Sequence, residues 1–180
     1  NGQQLWLFDT QSAVIAPPMT YAIDGVQYVA VLVGWGGAYP LMEGVNSYAS
    51  GNLRNISRLM VFKVGGTAKL PPLPPESKFV LNPPPETASP ETVAKGEALF
   101  DQFCAVCHGG GVVSGRVNPD LRVSRFLKDD AWFDILLRGG LQNAGMSSFA
   151  KVLNHDDAAA IRAYVIHRAN VDKDTGNAAQ

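Results

Sequence analysis

The chain has 180 residues, room for one domain or two small ones, and its 46% apolar and 17% charged residues describe a globular protein rather than a disordered one. A net charge of -1 and a pI near 6.3 give no electrostatic footprint for nucleic acid or an anionic membrane. The longest apolar run, Tyr28 to Val33, is far too short to span a bilayer, so no transmembrane segment is expected. The chain begins at Asn1 without an initiator Met or a signal segment, and we read it as a fragment of a longer or processed protein.

Residues 1–66 are rich in Val, Tyr, Trp and Gly. Met19 to Ile23, the pair Asp24-Gly25, and Val26 to Val33 predict a β-hairpin, because β-branched and aromatic runs flank a two-residue turn that tolerates positive φ. Leu5 to Phe8 and Leu59 to Val64 are further strand candidates, and the glycines at 34, 36 and 37 are expected to end the sheet after Val33. Residues 67–90 read as a linker. Eight of the 12 prolines fall between 71 and 90, a density that forbids helix or central strand and favours an extended, semi-stiff spacer.

Residues 91–172 change to helical signals. Ser89 is an N-cap with Pro90 and Glu91 behind it, and this helix is expected to run to about Phe103. A second should start near Asp130, carry Trp132, Phe133, Leu136 and Leu137, and stop at Gly139-Gly140. A third should start at Asn154, with Asp157 as capping partner and Ala158, Ile161, Tyr164 and Val165 on one face. Residues 173–180 are expected to form a flexible tail.

The two cysteines lie too close together to staple a fold and point instead to local chemistry. They form Cys104-Ala105-Val106-Cys107-His108, a C-x-x-C-H motif. Two thiols at this spacing can reach the two vinyl groups on one porphyrin edge, and the next residue can turn an imidazole onto the iron, so the motif predicts one covalent c-type haem with His108 as a metal ligand. The competing readings are a redox C-x-x-C, which wants a βαβ context, and half of a zinc site, which needs two more ligands. For the sixth iron position the candidates are Met146, His155 and His167. Met146 sits in a Gly-flanked loop that lets the thioether point inward, while the two histidines lie among charged residues on a helix. Met146 is preferred on ligand type, with core filling as its ordinary role. Pro119 is either the source of the carbonyl that accepts the other imidazole N–H of His108 or a plain turn proline.

From Glu91 to Val171 the sequence resembles a class I mono-haem cytochrome c: C-x-x-C-H after the first helix, a Pro soon after, an isolated loop Met, and a last helix with an aromatic. In that family the first and last helices cross at a Gly and aromatic contact, which would here join Gly96 and Phe100 to Ile161 and Tyr164. The whole chain is similar to the C-terminal portion of quinohaemoprotein alcohol dehydrogenases, PQQ-dependent enzymes with a fused cytochrome. Gly2-Gln3-Gln4-Leu5-Trp6 resembles the end of a propeller tryptophan-docking motif. Pro18 to Tyr21, Gln27 to Val31 and Gly34 to Gly37 resemble the blade that follows, and Arg58 to Lys63 the closing strand.

The resemblance implies a mixed fold: an N-terminal antiparallel β segment, the end of an incomplete β-propeller, followed by an all-α class I cytochrome c domain. It implies an eight-bladed propeller that holds PQQ and calcium and oxidises alcohols in the periplasm, with the haem passing electrons to a soluble redox carrier or quinone. The family's metal-binding and catalytic carboxylates and its adjacent-cysteine disulfide have no counterpart here. PQQ and calcium are therefore expected in the parent enzyme and not in this chain alone, which by itself transfers electrons without being an enzyme. Only Gly34 and Trp35 match the PQQ neighbourhood, and Trp35 reads equally as a packed propeller Trp. The rival functions are a haem enzyme with an open sixth site, peroxidase-like, a C-x-x-C thiol oxidoreductase, and a binding module in residues 1–66 whose strand edges seek another chain.

Overall fold

The computed structural model describes residues 1–34, 56–75, 80–114 and 118–175, which fall into two compact units, one within residues 1–75 and one within 80–175.

The first unit is a three-stranded antiparallel sheet in the order β1 (Met19–Ile23), β2 (Val26–Val33), β3 (Arg58–Lys63). The Asp24-Gly25 turn takes φ of 52° and 77°, the left-handed pair whose twist matches a two-residue hairpin. Register follows directly: Tyr21 faces Tyr28, and their rings stack at 5.3 Å. Val31, Val33 and Met60 form a small buried cluster, with Phe8, Phe62 and Leu70 packed on it. The predicted strand at Leu5–Phe8 does not form. Trp6 and Phe8 pack their rings on Phe62 at 5.3 Å each, but no strand among the described residues pairs with their backbone. Apolar β-propensity placed the side chains; it cannot supply the missing hydrogen-bonding neighbour. Val33 ends β2 as expected, and Gly34 makes a single parallel bridge to Val14. Gly36, Gly37 and Trp35 lie outside the described residues.

The second unit is helical: α1 (Pro90–Phe103), α2 (Ala105–His108), α3 (Ala131–Arg138) and α4 (His155–Asp174). Ser89 caps α1 by accepting from the Thr92 N–H, and α3 stops at Gly139 in the left-handed conformation. At the start of α4 the Asn154 side chain accepts from the Asp157 N–H at 2.9 Å, and the Asp157 carboxylate accepts from the Asn154 N–H at 3.1 Å. Helices α1 and α4 cross at Gly96, where a Cβ would overlap the Ala160 carbonyl oxygen and lie 2.9 Å from Tyr164 Cβ. Only a residue without a side chain permits this approach. One turn on, Phe100 is fully buried against Tyr164, with ring centroids 5.5 Å apart.

Around this crossing, Phe100, Leu127, Trp132, Ile135, Leu136, Leu153, Ile161 and Val165 make one apolar core. Trp132 satisfies its indole N–H on the Ala158 carbonyl at 2.9 Å. The second half of the Pro-rich stretch runs along α4: Leu81 is buried, Pro84 accepts from Asn170, and Glu86 pairs with His167 at 2.9 Å. Helix α4 continues through Lys173 and Asp174, where a tail was expected. Asp172 is buried in an ion pair that holds the last turn, and residues 176–180 lie outside the described residues.

Candidate functional site

The C-x-x-C-H segment is a helical turn appended to α1. The Cys104 N–H donates to the Phe100 carbonyl at 2.7 Å, the N–H groups of Cys107 and His108 donate to the Cys104 carbonyl at 3.0 and 2.9 Å, and that of Gly109 donates to Ala105 at 2.7 Å. The two thiols therefore sit one turn apart in different surroundings: Cys104 belongs to the apolar core and Cys107 is exposed. Burial, helped by Cys107 nearby, pushes the Cys104 thiol up to about 12. That is the opposite of the depressed, electropositive environment a redox-active thiolate requires. Gly109 has φ of 77° and no space for a Cβ against the Val113 carbonyl, so the chain turns sharply away just after His108.

His108 is half-buried. Its Nδ1 lies 3.3 Å from the Pro119 carbonyl oxygen, so an Nδ1–H tautomer would donate there and leave Nε2 as the metal-binding nitrogen. Burial lowers the His108 pKa, opposed by that carbonyl and by Asp120, which favours the neutral imidazole a metal needs. Asn118 Nδ2 donates to the Cys107 carbonyl at 2.6 Å, and buried Ser114 donates to the Asn118 carbonyl at 2.7 Å, tying this loop to the C-x-x-C-H turn.

Met146 is partly buried and packs against the same apolar cluster that contains Cys104, along with Phe103, Ala105, Leu121, Leu141 and Phe149. The Met146 N–H donates to the Leu141 carbonyl, and Phe149 stands edge-on to Phe103 at 6.4 Å. Of the other candidates, exposed His155 stacks on Phe133 with centroids 4.0 Å apart, and His167 is engaged by Glu86. Gly34 belongs to the sheet unit, and Trp35 lies outside the described residues. The donor set fits a haem: two thiols one turn apart, an imidazole oriented through Nδ1, and a thioether in a partly open apolar lining. No group of three or more His, Cys, Asp or Glu able to hold a metal ion occurs among the described residues.

Sequence reasoning missed Asn118, Ser114 and a charge cluster of buried Asp120, Arg122 and Asp172 with partly buried Arg168. One signal was present: Asp172 continues the buried stripe Ile161, Val165, Ala169 of α4, an unusual place for a carboxylate.

Residues 91–165 match the family model described as cytochrome C oxidase, cbb3-type, subunit III. The quinohemoprotein alcohol dehydrogenase ADH IIB of Pseudomonas putida is 42% identical over 96% of this chain and 25% of its own length. The dehydrogenase subunit of the alcohol dehydrogenase (quinone) of Acetobacter aceti is 40% identical over 94% of this chain and 23% of its own. The solved structure of quinohemoprotein alcohol dehydrogenase ADHIIG from Pseudomonas putida HK5 superposes with a TM-score of 0.79 at 35% identity, over 98% of this chain and 25% of that one. The chain thus spans about a quarter of the length of the curated relatives it matches. The C-x-x-C-H turn, the helices around it and the sheet before them together place the chain with the C-terminal portion of the quinohaemoprotein alcohol dehydrogenases, its helical unit a cytochrome c domain, which implies haem and electron transfer.

Proposed function

We propose that this chain carries one covalent haem c on Cys104 and Cys107, ligated by His108 and Met146, and relays single electrons from reduced PQQ in the rest of a periplasmic alcohol dehydrogenase to an external acceptor. PQQ and calcium would be held by that remaining propeller. The acceptor is a soluble redox carrier or a quinone; the name of the Acetobacter aceti relative favours the quinone. The observation that carries the reading is the contact between His108 Nδ1 and the Pro119 carbonyl, made directly after two thiols spaced for thioether bonds.

When bound, the haem supplies a one-electron iron couple. Everything else falls to the chain. Cys104 and Cys107 would fix one edge of the ring, and Pro119 would hold the imidazole at a set rotation. Phe103, Leu121, Leu141 and Phe149 would exclude water from the faces, which favours the less charged reduced state. A thioether from Met146 raises the potential relative to a second imidazole, suiting an acceptor that must draw electrons from a reduced organic cofactor. Gly34 and Trp35 remain the residues of this chain proposed to lie near PQQ.

The test is a pyridine haemochrome assay and optical spectra of protein matured in a host competent for c-type attachment. A c-type spectrum with the sulfur–iron charge-transfer band is expected. A c-type spectrum without that band would remove Met146 and reopen the sixth position, to His155, His167 or the vacancy of the peroxidase-like reading; no haem, with two titratable thiols, would overturn the proposal. Met146→His should keep the haem attached and lower the midpoint potential, measured by redox titration.

A further inference from the structure

A buried charge cluster beside His108 is not used by the electron-transfer reading. Arg122 is 1% exposed, and its guanidinium grips Asp120 through both carboxylate oxygens, Nε to Oδ1 at 3.0 Å and NH2 to Oδ2 at 2.6 Å. Its NH1 donates to Asp172 Oδ2 at 2.9 Å, and Arg168 donates to the other oxygen of Asp172 at 2.9 Å. Two guanidiniums and two carboxylates balance in charge. Burying such a group is expensive, and well-packed apolar residues often do as well or better, so stability is a weak reason for it to exist.

Its position suggests a different role. Asp120 directly follows Pro119, and its Oδ1 also accepts from the Arg122 N–H at 2.9 Å. Asn118, directly before Pro119, is tied to Cys107. The carbonyl that faces His108 therefore hangs between two anchors, one on the C-x-x-C-H turn and one on Arg122. Through Asp172 the second anchor is bolted to α4, the longest helix of the unit. We propose that Arg122, braced by Asp172, is a positioning residue that holds the Pro119 carbonyl on Nδ1 of His108 and thereby sets how strongly the imidazole donates to iron. The inference rests on the reading of His108 as the haem ligand. A firm acceptor on Nδ1–H makes the imidazole more basic and favours oxidised iron; a slack one raises the potential.

Arg122→Lys tests this in the holoprotein, because it keeps the charge and loses the fork. The haem should remain covalently attached. The reduction equilibrium should move about tenfold toward the reduced form, about 59 mV for one electron, and the Nδ1 proton of His108 should exchange faster with solvent by NMR. Arg162→Lys is the control: Arg162 holds the Leu127 carbonyl at 2.7 and 2.9 Å, away from this loop, and its loss should move neither readout. An unmoved potential and ring proton in folded Arg122→Lys, or an equal shift in Arg162→Lys, overturns the inference. Should Arg122→Lys fail to fold, Asp172→Asn carries the same test through ring-proton exchange, since it slackens Arg122 without removing it. A wild type without haem would overturn the haem reading and the inference together, whereas a normal wild type with an unresponsive variant overturns the inference alone.

Discussion

The two units treat apolar side chains in opposite ways. The helical unit turns its large hydrophobic residues inward, with Phe100, Leu127, Ile161 and Val165 at 1% exposure or less. The sheet leaves Met19, Leu32, Leu59 and Val61 half to two-thirds open, and only Val31, Val33 and Met60 form a closed cluster. A helix pair that crosses at a glycine gives the third helix and the loops a common surface to pack on, as Leu127, Trp132, Ile135 and Leu153 do here. Three strands have two faces and two edges, and a small sheet cannot cover them all by itself. The helical unit thus gathers its apolar side chains into one cluster, while most of those on the sheet stay open.

The largest test of that contrast is Asp172→Ala. It removes a buried partner of Arg122 and the carboxylate that balances partly buried Arg168, leaving the cluster one positive charge in excess, and should cost about 3–5 kcal/mol, read as a lower denaturation midpoint of the helical signal. Gly96→Ala comes next. Alanine gains about 1 kcal/mol of helix propensity over glycine, but its Cβ would overlap the Ala160 carbonyl, which cannot swing aside, so overpacking at the upper end of about 1–3 kcal/mol should win. A stability unchanged or raised by Gly96→Ala would break the picture of a close-packed crossing.

Alkaline pH gives a gentler probe of the same crossing. Burial, with Glu97 and Asp101 adding to it, pushes Tyr164 up to about 12 from 10.0. The folded state keeps this proton longer than the unfolded state, so its stabilising contribution is whole below pH 10 and is lost as the pH rises through about 12. Tyr164→Phe should flatten that part of the stability–pH curve. The smallest effect belongs to Leu59→Ser: at 63% exposure it should change stability by less than about 0.5 kcal/mol while reducing self-association in light scattering. A cost as large as that of Gly96→Ala would mean that this sheet face is already a covered core.

Sequence reached the elements whose signals are local. The hairpin is set by Asp24-Gly25, α1 and α4 begin at the capping side chains of Ser89 and Asn154, and α3 ends at left-handed Gly139. Leu5–Phe8 carried an equally apolar run, yet strand formation depends on a distant partner that composition does not reveal. The same divide runs through the site. Cys104, Cys107 and His108 are legible because one turn holds them, whereas the Pro119 contact spans eleven residues and sequence left it balanced against a plain turn. The grip of Arg122 on Asp172 spans fifty residues and left only a misplaced-looking carboxylate on an apolar stripe.

The crossing at Gly96 also has a meaning in time. Its partners Ala160 and Tyr164 lie in the last helix, while the C-x-x-C-H turn follows Gly96 by only two turns of α1 and a short step. A chain made from its N-terminus exposes the two thiols long before α4 exists to pack against α1, and contacts so distant in sequence form late. Cys104 shares its apolar cluster with Ile161, Tyr164 and Val165, so its burial is completed by one of the last parts of the chain to be made.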